Sequence, residues 1–117
     1  MAVSIHGTVE TGRNRAWQVS LLLNAGSTVV DGVIEQLGHA PNGYFWEGVA
    51  RLLVSTKAPA LEGRLSYDPE AGMFCAHGED RNALEELGRL MAAVATDQER
   101  LRRVVAQAKT KGLEFDD

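Results

Sequence analysis

Hydrophobic positions along the chain alternate between two periods, and each change of period predicts a new element. From Val3 to Val9 apolar and polar residues alternate, with Val3, Ile5 and Val9 on one parity, as in a half-buried strand. Thr11 to Arg15 is a polar connection containing Gly12. Extended character resumes from Ala16 to Leu23, where Trp17, Val19, Leu21 and Leu23 share a parity, so the two segments are expected to pair as a hairpin. Residues 24–27 break the second strand. Val30, Val33, Ile34 and Leu37 then fall at helical spacing, with Ser27 or Thr28 as the predicted N-cap and Gly38 as the stop. After the turn at Pro41-Asn42-Gly43, a second helix is predicted from about Tyr44 to Val54. Phe45, Val49, Leu52 and Leu53 form its broad face, with Trp46 and Ala50 beside it. A helix apolar over so much of its circumference belongs between two layers.

The same alternation of periods returns after a loop over residues 55–63. Arg64 to Tyr67 reads as a short strand and Asp68 to Gly72 as a turn. In that turn Pro69 fixes φ, Asp68 is expected to accept backbone N–H bonds, and Gly72 permits a positive φ. Met73 to His77 is the returning strand, its apolar start entering the core. Asp80 can cap a helix through about Ala95, with Leu84, Leu87, Leu90, Met91 and Val94 as its buried stripe. Gly88 inside it costs roughly 1 kcal/mol against Ala, which points to close approach by a neighbouring element. Thr96 with Glu99 has the form of a capping box for a last helix that buries Leu101, Val104, Val105 and Ala108 and stops at Gly112. The predicted order is ββααββαα. It is an α+β fold of two hairpin-plus-helix-pair halves, with an antiparallel sheet packed against helices.

A length of 117 residues suits one domain spanning residues 1–117, able to form a core without staples. A single cysteine forms no internal disulfide and fits a reducing compartment. No apolar run approaches a membrane span, and the first residues lack the features of a signal peptide, so a cytoplasmic protein without membrane contact is expected. The net charge is −4, and no Lys or Arg occurs between Arg15 and Arg51, where Asp31, Glu35 and Glu47 lie. That distribution disfavours direct nucleic-acid binding and would attract a basic protein partner, although mild acidity that serves solubility alone is the better reading. Arg100, Arg102, Arg103, Lys109 and Lys111 make the last helix basic. Without interleaved aromatics it reads as a solvated outer face.

Residues 67–77 concentrate the reactive groups. Cys75 and His77 are two apart on a strand, share a face, and with Asp68 could be arranged as nucleophile, base and orienting acid. Met, Phe and Ala around the thiol offer nothing to lower its pKa, so a packing role for Cys75 is the better reading. His6, His39 and His77 lie on separate elements without metal-ligand spacing, and no phosphate-loop motif occurs, so neither metal nor cofactor is expected. Tyr44, Phe45 and Trp46 are consecutive on a helix and point about 100° apart. Tyr44 or Trp46 can therefore reach a surface near Glu47, but completion of a two-sided core by both rings is the better reading.

Two blocks, GHAPNGYFWEGVARLLV at residues 38–54 and LSYDPEAGMFCAH at 65–77, resemble the immunity protein 51 family. So does the tail from Leu84-Glu85-Glu86-Leu87 to the terminal GLEFDD. The resemblance implies a small α+β inhibitor without catalysis that binds and neutralises the toxin of a bacterial polymorphic toxin system. His77 stands where an aromatic residue is expected. The residues expected to meet a toxin are Asp31, Glu35, Tyr44, Trp46, Glu47, Asp116 and Asp117. If the toxin attacks nucleic acid, Asp31, Glu35 and Glu47 would mimic phosphate toward its basic site. The alternatives are a ligand-binding or structural module with a pocket lined by Trp17 or Trp46, and a thiol enzyme using Cys75 and His77.

Overall fold

A computed structural model describes residues 3–9, 17–115 and 117, with side chains from residue 19 onward, residue 116 apart. The predicted connection Thr11–Arg15, the side chain of Trp17 and the candidate Asp116 lie outside the described residues.

The elements are β1 (Val3–Val9), β2 (Trp17–Asn24), α1 (Asp31–Gln36), α2 (Gly43–Lys57), β3 (Ser66–Tyr67), β4 (Met73–Gly78), α3 (Arg81–Ala95) and α4 (Gln98–Thr110). A 3-10 turn at Pro59–Leu61 follows α2, inside the segment expected to be loop. Among the described residues the sheet is antiparallel with four strands in the order β1-β2-β4-β3. The α+β class is as expected, but the halves are unequal. β3 has two residues against seven in β1, and α1 has six against fifteen in α3. The central pairing of β2 with β4 fuses the two hairpins into one sheet.

Strand parity sorts the sheet into a covered and an open face. Val19, Leu21 and Leu23 of β2 are buried, as are Phe74 and Ala76 of β4. In register Leu21 faces Ala76 and Leu23 faces Phe74 across the central pair, so one side of the sheet is continuous hydrocarbon. α2 and α3 lie on that side, α3 crossing β1, β2 and β4, and α4 packs behind them against α1, α2 and α3. α2 is therefore sandwiched between β4 and α4, which is why Phe45, Trp46, Val49, Ala50, Leu52 and Leu53 are all buried. The alternation also corrects the expectation that the run Met73–Ala76 enters the core as a block. Met73 and Cys75 sit half-buried on the opposite face.

Helix ends follow local chemistry, in two places shifted from the expected residue. Asn42 caps α2 by accepting the Phe45 N–H at 2.9 Å. Asp80 caps α3 by accepting from Asn82 and Ala83 at 2.9 and 3.3 Å. α4 is capped by Asp97, which accepts from Glu99 and Arg100 at 3.0 and 3.3 Å, and not by Thr96. The Thr96 hydroxyl instead donates backward to the Ala92 carbonyl at 2.7 Å, ending α3. α1 begins after Val30 without a side-chain cap. Ser27 donates to the Asn24 carbonyl and Thr28 to the Asp31 carboxylate. Gly38 and Gly112 take positive φ, 87° and 75°, and close α1 and α4 as expected.

The turn between β3 and β4 is built differently from expectation. Glu70 and Met73 exchange backbone hydrogen bonds of 2.7 and 3.2 Å around Ala71-Gly72, Gly72 does not take a positive φ, and no described N–H donates to the Asp68 carboxylate. This turn lies on the start of α2, where the Gly43 N–H donates to the Ala71 carbonyl at 3.2 Å. A Cβ at Gly43 would stand 2.0 Å from the Glu70 carbonyl oxygen and 2.3 Å from that of Met73, so the close approach requires glycine there.

Candidate functional site

The cysteine–histidine pair falls on the open face of the sheet. In register Cys75 stands beside Leu22 and His77 between Ser20 and Ser66. The thiol is half-buried, and its pKa is raised, first by burial and then by the carboxylates of Asp68 and Glu70. Both effects disfavour thiolate, the opposite of what a nucleophile needs. His77 borders an open cleft with Arg64, Gly78, Glu79 and Asp80, where Arg64 already pairs with Asp80 at 3.0 Å. Among the described residues no group of three or more His, Cys, Asp or Glu is arranged to hold a metal ion.

The expected toxin-facing residues separate into three places. On α1, Glu35 is exposed, whereas Asp31 is half-buried and accepts the Thr28 hydroxyl at 2.5 Å. On the outer side of α2, Tyr44 is 39% exposed and Glu47 lies one turn further on. Glu47 accepts from Arg51 Nε at 2.8 Å, and the Arg51 guanidinium lies 4.8 Å over the Tyr67 ring. Tyr67 titrates above its ordinary range because burial outweighs the opposing Arg51 charge, with Glu62 and Glu47 adding to the rise. Tyr44, Glu47, Arg51 and Tyr67 thus make one surface, with the acidic β3–β4 turn against its lower end.

Trp46 is not part of that surface. It is 0% exposed, because its position on α2 faces the core and not the Tyr44 side. Its indole N–H is buried without a hydrogen-bond partner, a cost of about 1–3 kcal/mol accepted for the volume the ring fills. The hydrophobic rings Phe45 and Trp46 meet edge to face at 5.6 Å.

Asp117 folds back onto the molecule and leaves only 11% of its side chain exposed. Its carboxylate meets His39 Nδ1 at 3.1 Å and accepts the Ala40 N–H at 2.7 Å. Phe115 anchors this return, stacking on Phe45 at 4.8 Å and edge-on to His39 at 4.9 Å. A Cβ at Gly48 would meet Phe115 Cδ1 at 2.3 Å, so glycine on α2 leaves the space the ring occupies. Sequence reasoning read the tail as acidic and missed Phe115 and His39. The available signal was an aromatic residue amid acids, with glycine on the helix it covers.

Two further grooves flank α4. One, about 650 Å³, runs between the end of α1, α4 and the tail, and is lined by Leu37, Val105, Leu113 and Phe115 with Arg102 and Lys109 at its rim. The other, about 270 Å³, lies between α3, α4 and the end of α2, with Leu53, Leu90 and Val94 in its floor. The pocket imagined around Trp46 does not coincide with these grooves, since Trp46 lines neither. Among the described residues no helix is long and apolar enough to cross a membrane.

Comparison with curated proteins gave no match, and comparison with solved structures gave none either. The family model for immunity protein 51 matches residues 11–110, a span that takes in both quoted blocks and seven of the eight elements in full. The chain belongs to the immunity protein 51 family.

Proposed function

We propose that the chain is a cytoplasmic antitoxin that binds the toxin domain of a polymorphic toxin system and blocks it by occupancy, without catalysis. The family match over most of the chain carries this reading. The raised thiol pKa supports binding over thiol catalysis. The proposed contact residues are Tyr44 as an aromatic anchor and Glu47 on the outer side of α2, with Glu35 and Asp31 on α1 as further acids that steer a basic partner. Asp117, which pairs with His39, is left out of this proposed set. A nucleic-acid-degrading toxin fits the proposal, since its substrate site is basic and these carboxylates would stand in for phosphate.

The test is co-expression with the toxin domain encoded by the adjacent reading frame. Co-purification and restored growth are expected. Glu35→Lys with Glu47→Lys should slow association about tenfold or more at low salt and flatten its salt dependence. An unchanged on-rate removes these acids from the interface, and failure of the wild-type chain to bind or protect removes the function.

A further inference from the structure

The described lysines and arginines divide into two sets. Arg51, Arg64, Arg81, Arg89 and Arg100 each face a carboxylate of their own chain, those of Glu47, Asp80, Glu85, Glu86 and Asp97. Lys57, Arg102, Arg103, Lys109 and Lys111 have no such partner among the described residues. All five are exposed, and all lie on α4, on the residue that follows it, or on the end of α2 beside it. In a chain of net charge −4, the unpaired cations among the described residues therefore collect around α4. The acids nearby are Glu99 in the first turn of α4, Asp97 at its cap, Glu114 at the rim of the larger groove, Asp117 paired with the groove-lining His39, and Asp31 and Glu35 on α1, which packs against α4.

These cations border apolar ground on both sides of α4. Arg102 and Lys109 stand over the larger groove, where Leu37 is 37% exposed and Val105 and Leu113 are half-buried. Lys57, Arg100 and Arg103 rim the smaller one above Leu90 and Val94. Charge beside hydrocarbon at this spacing matches a ligand that is itself amphipathic, with carboxylates for the rim and apolar side chains for the floor.

We propose that α4 with its two grooves is a docking surface for an acidic amphipathic segment of a partner protein. This goes beyond the toxin contact proposed on α2, uses different residues, and calls for a partner surface of opposite charge. Nucleic acid fits less well. His39 and Phe115 are the rings that border the larger groove, and they are already packed on each other and on Phe45, leaving no face for a base.

The test uses a fluorescein-labelled synthetic peptide with Leu and Glu at helical spacing. A scrambled peptide of equal composition, a single-stranded RNA and vesicles of anionic phospholipid serve as comparators. The amphipathic peptide is expected to bind the full chain, more weakly as salt rises, with amide shift changes confined to α4, Leu37 and Leu113 and to Leu53, Lys57, Leu90 and Val94 around the smaller groove. Arg102→Glu with Lys109→Glu should weaken it about tenfold or more, Arg102→Gln with Lys109→Gln by less, and Glu47→Lys not at all. Since both α4 positions are exposed, melting of the variants should match the wild type. Should the Glu pair lower melting, the Gln pair carries the test. Equal binding of the scrambled peptide, tighter binding of RNA or vesicles, insensitivity to the α4 variants, or no binding would each overturn the proposal. None of these outcomes bears on the toxin reading, which co-purification and the Glu35 and Glu47 variants decide.

Discussion

At the scale of single residues, packing and reactivity are set by which side of an element a residue occupies. Cys75 shares a strand with fully buried Phe74 and Ala76, yet sits on the open face, where burial and two carboxylates hold its proton. Alkylation of the folded protein should therefore be slower at neutral pH than that of an unfolded thiol, with its titration midpoint above the usual thiol range. A fast reaction with a midpoint below that range would reinstate thiol chemistry. The linkage has a definite sign. A thiol whose folded pKa is raised stabilises the fold below its unfolded pKa, and that contribution is lost as pH rises through the folded value. Cys75→Ser should thus reduce the loss of stability on the alkaline side. Gly43 and Gly48 are legible as glycines but not as contacts. Gly43→Ala would drive a methyl into the Glu70 and Met73 carbonyls, and urea unfolding should show a loss of more than about 3 kcal/mol, since backbone cannot give way as a side chain does. Gly48→Ala meets only the Phe115 ring, so its expected effect is a displaced tail and a smaller loss.

Between elements, the sequence specified helix periods well and helix starts less well. The apolar spacing in α3 and α4 identifies most of their buried stripes, with Leu84, Leu87, Met91, Val94, Leu101, Val104 and Ala108 inside, whereas Leu90 and Val105, expected inside, are only half-buried beside the grooves. Capping is competitive over one or two residues. Thr96 and Asp97 are both acceptable caps by type, and Asp97 wins because Thr96 is still held by the last turn of α3. Asp97→Ala is accordingly expected to cost about 1 kcal/mol, and Thr96→Ala only a fraction of that, by denaturant unfolding. The exposed pairs Arg81–Glu85 and Arg89–Glu86 should each contribute less than about 1 kcal/mol, so removing either should leave melting nearly unchanged.

For the whole molecule, α2 is the organising element because it is covered on one side by β4 and on the other by α4. Trp46 fills the centre of that stack. Trp46→Ala should cost about 3–5 kcal/mol. Trp46→Phe should cost much less, because it removes the unpaired indole N–H along with the lost volume. Equal losses would show that the indole N–H carries no penalty. Charge is also set by packing: Glu47 and Tyr44 lie on the outer side of α2, Asp31 and Glu35 on α1, and the unpaired cations among the described residues along α4 and at the end of α2. The modest net charge conceals this division, which composition alone could not reveal.

Local periodicity determined much of this protein by itself: the class, the strand and helix identities and most of the buried stripes, and two blocks of residues carried the resemblance to its family. These depend on side chains one to four positions apart, which the chain writes down directly. The tertiary structure alone decided what lies far apart in sequence and close in space. It joined the two hairpins through β2 and β4, turned Trp46 inward and Tyr44 outward, and tied Asp117 to His39. Among the described residues it also left Lys57, Arg102, Arg103 and Lys109 without ion-pair partners around two apolar grooves. Residue spacing carries no record of those contacts, because each is fixed by how whole faces pack and by which charges that packing leaves exposed.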